Sequence, residues 1–314
     1  MNNSKTPLRQ EAQCLPALIA SEISPDGTTR KDLLQMQDGA RIETVLLTYR
    51  ERHAVCVSTQ VGCACGCRFC ATGDMGYVRQ LSSDEIIAQV DHFLGILAPT
   101  RTTVSNVVLM GMGEPLLNEE QSLKAVQRLI DPREFGFAPS RVTLSTVGIA
   151  PGIVKLADMH SHLPIRLAVS LHAATDDLRT SLMPINTTYP LDALFEAIRY
   201  YTDRTGRRVL YEWIMIDRVN DTIEQVEALS SRLAGLPAHV NLIQLNPTEG
   251  FDGRPSRAES LTRFTGILDR YGIPHTMRQR RGGGIDAGCG QLRTRHQASR
   301  LDNGEDNRQG EGSC

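Results

Sequence analysis

The chain has 314 residues, with 34 Lys and Arg against 36 Asp and Glu, and 40% of it is hydrophobic. That length holds roughly one or two domains with a sizeable core, and a formal charge of −2 excludes a grossly basic nucleic-acid coat protein, though it leaves room for a local basic face. No stretch reaches the ~18 to 20 uncharged apolar residues of a membrane helix, and the first twenty residues lack the apolar run of an export signal, so no membrane association and a cytoplasmic setting are expected.

Residues 1–40 read as a short N-terminal extension, irregular or weakly helical. The segment RIETVLLTYRERHAVCVSTQ (41–60) reads as a β-hairpin, two β-rich runs around a charged turn. A cysteine-rich loop follows, then SSDEIIAQVDHFLGIL, where Ser82 and Glu85 form a capping-box signature and Ile86, Ile87, Val90 and Phe93 a helical stripe. Apolar runs near 104–110, 141–145, 165–171, 208–216, 239–245 and 273–278 then alternate with helical patterns near 118–130, 151–159, 190–203, 222–235 and 257–271. With the strand at 54–59 these are successive βα units, hence an α/β fold with a parallel sheet and helices outside it. Residues 41–301 are expected to form one catalytic domain, and 302–314 (DNGEDNRQGEGSC) a disordered polar tail.

Chemistry in such folds collects at the carboxyl ends of the strands. The loops there are VGCACGCRFCATG, GMGEP, STVG, SLHAATD and NPTEG. Of eight cysteines (14, 56, 63, 65, 67, 70, 289 and 314), five fall between Cys56 and Cys70, a clustering that favours metal ligation or redox chemistry over a disulfide framework. Cys63, Cys67 and Cys70 have C-x3-C-x2-C spacing, so three thiolates on one loop can bind three irons of a [4Fe-4S] cube and leave the fourth open. Cys67 and Cys70 are also half of a zinc knuckle, which Cys65, His53 or a distant His could complete.

The other candidates are weaker on their own. The glycines of GMGEP let backbone approach a ligand, and Glu114 can pair with an ammonium, but a glycine turn before proline is often only a turn. Ser145, Ser170 and His172 end two strands where polar groups can hydrogen-bond a ribose or carboxylate, or simply cap the next helix. Asn246 precedes Pro247 and reads equally as a turn former. Cys289, in the glycine-rich GGGIDAGCGQL, is an idle loop thiol or a thiolate activated by Arg278, Arg280, Arg281 and Arg293. Alone, Cys56 reads as a core cysteine and Glu43 as an exposed strand residue.

The C-x3-C-x2-C loop with Phe69 before its last cysteine resembles the radical S-adenosylmethionine (SAM) superfamily. Further segments, DGTTRKDLL, ETV, CVSTQVGCACGCRFCATGDMG, VVLMGMGEPLLN, RVTLSTVG, AVSLHAATDDLR, MPIN, VND, VNLIQLNP and IDAGCGQLR, resemble in order the RNA adenosine methyltransferases RlmN and their C8-directed sibling Cfr, over residues 26–293. The resemblance implies a partial (βα)6 TIM-like barrel of the radical SAM type. It implies a [4Fe-4S] cluster on Cys63, Cys67 and Cys70, and SAM held by Gly113, Glu114, Ser145, Ser170, Leu171 (through its backbone), His172 and Asn246. Catalysis would use Cys289 as an S-methylcysteine carrier and Cys56 as the resolving thiol that forms a transient disulfide with it. Glu43 would be the proton acceptor. In that mechanism one SAM methylates Cys289 and a second yields a 5′-deoxyadenosyl radical that activates the S-methyl group. The activated carbon then adds to C2 or C8 of adenine, ring carbons too weakly nucleophilic for polar transfer.

The implied partners are rRNA or tRNA as substrate and an electron donor such as flavodoxin or ferredoxin. Residues 275–296 carry five Arg (278, 280, 281, 293, 295) against one acid, Asp286, a candidate phosphate grip or a solvated basic loop. Ribosomal members of the family carry a further N-terminal accessory domain that helps bind RNA, whereas only the short extension precedes the hairpin here. Arg281-Gly282-Gly283-Gly284 also lacks the acidic pair often seen before the IDA motif. Two other readings stay open: a radical SAM methylase acting on a peptide or small molecule, and a zinc-stabilised RNA-binding protein without catalysis.

Overall fold

The computed structural model describes residues 15–50, 52–279, 281–282 and 284–293; the expected tail at 302–314 lies outside them. The N-terminal stretch departs from the irregular or weakly helical segment expected there. Strands β1 (Ala17–Ile23) and β2 (Thr29–Gln35) form an antiparallel pair, and β2 continues onto β3 (Arg41–Tyr49) from Thr29 opposite Leu47 to Gln35 opposite Arg41. The charges of TRKDLLQ hide this strand from a periodicity reading because Asp32 and Lys31 are buried against partners on other elements, His92 and Glu43. Buried Asp32 takes a hydrogen bond from Arg30 and pairs with His92 at 2.7 Å, and Lys31 pairs with Glu22 and Glu43.

The expected hairpin is present, with β4 (Arg52–Cys56) antiparallel to β3. A separate two-stranded ribbon, β5 (Gln60–Gly62) against β6 (Tyr77–Gln80), brackets the cysteine loop and the one-turn helix α1 (Ala71–Asp74). Helix α2 (Ser83–Leu97) starts with both halves of the capping box formed between Ser82 and Glu85.

The remaining elements follow the expected beat: β7 (Val104–Leu109), α3 (Glu119–Ile130), β8 (Val142–Thr146), α4 (Ala150–Asp158), β9 (Arg166–Ser170), α5 (Asp176–Leu182), α6 (Leu191–Thr205), β10 (Val209–Met215), α7 (Ile223–Leu233), β11 (Ala238–Gln244), α8 (Ala258–Arg270) and β12 (His275–Met277). The main sheet runs β1-β2-β3-β4-β7-β8-β9-β10-β11-β12, parallel from β4 onward. Spatial neighbours are therefore sequence neighbours, with none of the order reversal of a doubly wound sheet. Six strand-then-helix units in this order make the partial (βα)6 barrel, with β12 as an additional strand.

Alternation along β10 separates core from site. Tyr211 stacks on Phe195 of α6 and Trp213 packs on Phe264 of α8, both fully buried on the helix side. The intervening Glu212 and Ile214 point to the opposite, interior face, as a period of two requires. No helix among the described residues is long and apolar enough to cross a membrane.

Candidate active site

The cysteine loop is closed at its base by β5 and β6. The Cys63 amide donates to the Gly76 carbonyl at 2.9 Å, and at Gly62 (φ +74°) a Cβ would overlap that same carbonyl, so only glycine fits. Cys65, Cys67 and Phe69 are buried against Ala173, Leu182, Met183 and Ile214, and the Phe69 ring stands edge-on to His172 at 4.8 Å. Cys63, Cys67 and Cys70 line one cavity that also includes Gly113, Glu114, Ser145, Ser170, His172 and Cys289. Most of the expected site residues are thus brought together.

The donor set fits a cluster better than a single ion. Burial and the neighbouring thiols push Cys67 well up, and burial does the same to Cys70, whereas a hydrogen bond from Cys65 lowers Cys63. Three such thiols ionise together only around a cation. A [4Fe-4S] cube takes three thiolates on three different irons, which Cys63, Cys67 and Cys70 on one cavity can supply, whereas a structural zinc closes on four ligands.

At GMGEP the glycine is a steric necessity. Gly113 has φ +97°, and a Cβ there would lie 2.5 Å from Gln60 Cβ; the Gln60 carboxamide oxygen receives the Glu114 amide at 2.8 Å. Glu114 is buried, its two oxygens accepting the Leu116 amide at 2.9 Å and the Val147 amide at 2.7 Å, and burial pushes it up to about 7. An approaching ammonium would restore its charge.

His172 has left-handed backbone (φ +58°), an unusual state for a side chain that size. Asn220 of the VND segment holds it there, donating through Nδ2 to the His172 and Ile214 carbonyls at 2.8 and 2.6 Å. The Ile214 amide donates to His172 Nδ1 at 3.0 Å, so the ring proton sits on Nε2, and burial pushes the imidazole down to about 3. Leu171 does not line the cavity. It is fully buried, its amide donates to the Glu212 carbonyl, and its own carbonyl accepts from Arg179.

Arg179, fully buried on α5, escaped the sequence reading. Its guanidinium donates to the carbonyls of Val147 (2.5 Å), Ser170 (3.3 Å) and Leu171 (3.2 Å) and to Asn186 Oδ1 (2.8 Å). It therefore ties together the loops after β8 and β9, and Asn186 of MPIN, anchored by Nδ2 to Asp176, orients it. The signals were the MPIN and VND segments themselves, polar residues with no evident surface role.

The Cys289 segment docks on the cysteine loop. The Ala71 amide donates to Gly290 O and Thr72 Oγ1 to Leu292 O, each at 2.7 Å. Glu43 Oε2 accepts the Arg293 amide at 2.7 Å, and Asn246 Nδ2 donates to the Cys289 carbonyl at 3.2 Å. Neither Glu43 nor Asn246 lines the cavity; here both hold this segment. Glu43 is buried, pushed up by that burial and paired with Lys31 at 3.2 Å. Cys56 is pushed up to about 12 by burial and by proximity to Cys289. Cys289 is accessible through the cavity, yet the protein around it raises its thiol against the pull of Arg278.

The expected ring of arginines around Cys289 reduces to Arg278. Arg281 lies 3.9 Å over the Tyr49 ring and donates to Thr48 O, and Arg293 pairs with Glu249 at 2.9 Å; Arg280 and Arg295 are outside the described residues. Arg278 instead contacts Glu212, which Asn241 also holds. Glu212 and Asn241 escaped the sequence reading because each is one polar residue between apolar neighbours inside a strand.

Fold and cavity together define a radical SAM enzyme, and residues 57–229 match the Radical SAM superfamily. A crystal structure of a radical SAM methyltransferase from Sphaerobacter thermophilus superposes with a TM-score of 0.86 at 45% identity, covering 89% of this chain and 81% of that one. The dual-specificity RNA methyltransferase RlmN 1 of Myxococcus xanthus is 52% identical over 270 residues, 86% of this chain and 75% of the relative. The probable dual-specificity RNA methyltransferase RlmN 2 of Opitutus terrae is 47% identical over 308 residues, 88% of this chain and 72% of the relative. The chain belongs to the RlmN family of the radical SAM superfamily, whose cofactors are a [4Fe-4S] cluster and SAM.

Proposed function

We propose that this chain methylates a ring carbon of adenosine in rRNA or tRNA, with Cys289 as the methyl carrier. The observation that carries the reading is the docking of the Cys289 segment on Ala71 and Thr72, directly beyond Cys70, so that carrier and cluster cysteines face one cavity. Cys63, Cys67 and Cys70 would hold the cluster. Glu114 would take the SAM ammonium and Gly113 admit its backbone approach, with Ser145, Ser170 and the neutral His172 hydrogen-bonding the rest. Leu171 and Asn246 support this wall from behind, since their polar groups are already engaged.

When bound, the cluster and SAM supply the methyl group and the radical chemistry that an unactivated ring carbon needs. Cys289 would receive the methyl group as a thioether. Once that carbon is bonded to the adenine, Cys56, within electrostatic reach of Cys289, would attack the Cys289 sulfur. The S–C bond breaks as the S–S bond forms, its electron pair leaving with the carbon, which takes a proton, and a dithiol reductant would then restore both thiols. Burial raises Glu43 against the pull of Lys31; as proton acceptor it would exchange the Arg293 amide and Lys31 for the substrate. An electron donor such as flavodoxin or ferredoxin would supply electrons.

The test is mass spectrometry of nucleosides from protein-free rRNA and tRNA after anaerobic reaction with cluster-reconstituted enzyme, SAM and reductant. A C2- or C8-methyladenosine product is expected. SAM cleavage with no methylated nucleoside in either RNA would overturn the reading in favour of a peptide or small-molecule methylase.

A further inference from the structure

Glu212 sits on the central strand β10 and is 4% exposed. Its Oε1 accepts from Asn241 Nδ2 at 2.9 Å and from an Arg278 NH2 group at 3.3 Å. Its Oε2 is buried with no hydrogen-bond partner among the described residues. Leaving a buried carboxylate oxygen unmet is costly, and native proteins seldom do so without a role for it. Glu212 and Arg278 both line the cavity, on the side that carries Cys289, and the charges of Cys56 and Cys289 reach Arg278. The pair thus borders the thiol that must touch the target carbon.

A carboxylate beside a guanidinium presents an acceptor next to donors. Adenine presents the complementary edge, the N6 amino donor next to a ring-nitrogen acceptor. Guanine and hypoxanthine put an O6 acceptor where the amino group would be, facing the carboxylate with repulsion. Building on the RNA reading above, we propose that Glu212 and Arg278, oriented by Asn241, read the target adenine, with Glu212 Oε2 accepting from its N6 amino group and Arg278 donating to the adjoining ring nitrogen.

SAM also carries an adenine, so the same edge has two sources, and the target base is favoured because the pair adjoins Cys289. The two sources separate experimentally. Glu212→Gln is informative because Asn241 and Arg278 both donate to one oxygen, which fixes the carboxamide with its NH2 in the place of Oε2. The orphan acceptor becomes a donor suited to O6.

The experiment uses cluster-reconstituted enzyme and an RNA hairpin carrying the adenosine mapped by the nucleoside analysis, with adenosine, inosine or purine riboside at that position. Wild type is expected to prefer adenosine over inosine and over purine riboside, which lacks the amino group, by about 5- to 150-fold in kcat/KM, the usual worth of a bidentate base contact. In Glu212→Gln the adenosine-to-inosine ratio should fall by a similar factor, because intrinsic base reactivity cancels between the two enzymes. Equal losses on every base would mean a structural role and overturn the proposal. A weakened SAM affinity by equilibrium dialysis, with the base ratio unchanged, would assign the contact to SAM and overturn it as well. The wild-type arm does not depend on the variant folding: indifference to the amino group refutes the assignment directly. Failure of wild type on the adenosine hairpin would remove the RNA reading itself, whereas methylation with an unaltered ratio removes only the base-reading role.

Discussion

Replacing Arg179 by leucine should cost both stability and SAM affinity. The guanidinium satisfies three backbone carbonyls and Asn186 Oδ1 in a fully buried setting. Hydrogen bonds from a charged donor contribute about 1.5–3 kcal/mol each, so four give about 6–12 kcal/mol as an upper bound, since neighbouring bonds do not add. Against this stands the burial of a cation that no carboxylate among the described residues contacts directly. Burial holds the guanidinium down to about 10, a penalty of about 3 kcal/mol that a neutral side chain escapes. The balance is a net loss of about 3 kcal/mol or more, in the range seen when a buried charged partner is removed. Because the Val147 amide that Arg179 steadies from its carbonyl side also donates to Glu114, the Glu114 wall should loosen with it. Urea unfolding of wild type and Arg179→Leu gives the first quantity, and equilibrium dialysis of SAM the second. A loss below about 1 kcal/mol with unchanged SAM affinity would refute the reasoning. Arg179→Lys should fall between the two, since an ammonium keeps the charge but cannot reach all four acceptors.

Three further outcomes are expected. Cys56→Ala should leave Cys289 able to accept methyl label but trap an RNA-linked protein under turnover, visible as a band shift on a denaturing gel; free turnover would remove the resolving role. Gly113→Ala should lower SAM binding at least tenfold, because the added Cβ collides with Gln60 and φ +97° strains any L side chain; unchanged binding by dialysis would contradict the steric account. His172 is lowered to about 3 when folded against about 6.5 when unfolded, so the folded state binds fewer protons between those values. The stability it contributes is complete above pH ~6.5 and lost as pH falls toward 3, at about 1.4 kcal/mol per pH unit. His172→Asn, whose side chain tolerates left-handed backbone, should show a flatter acid limb in urea unfolding, and parallel curves would rule out the buried neutral ring.

The barrel was legible because each of its strands is a short apolar run and each helix an amphipathic one, signals carried within ten or fifteen residues. The cysteine loop was legible for the same reason of locality. What escaped depends on pairing across the chain. The β2 segment looks like surface until Asp32 meets His92, sixty residues on, and Lys31 meets Glu43. Glu212 looks misplaced in an apolar strand until Asn241 and Arg278 close around it. Asn246 was legible as a conspicuous polar residue at a strand end, but its hold on the Cys289 carbonyl, 43 residues away, was not. The arginines near Cys289 in sequence misled for the converse reason: Arg281 and Arg293 turn to Tyr49 and Glu249 instead.

The anchors of the Cys289 segment also order events during synthesis. Thr72 meets Leu292 across 220 positions and Glu43 meets Arg293 across 250. The Thr72 and Glu43 anchors of the Cys289 segment are therefore synthesised more than two hundred residues ahead of it. A nascent chain holds the cysteine loop and the glutamate of GMGEP while still lacking Cys289. Loop-closure entropy grows only slowly with span, and folding of the intervening strands shortens it further. Cys289 is thus the last cysteine of the cavity to be synthesised.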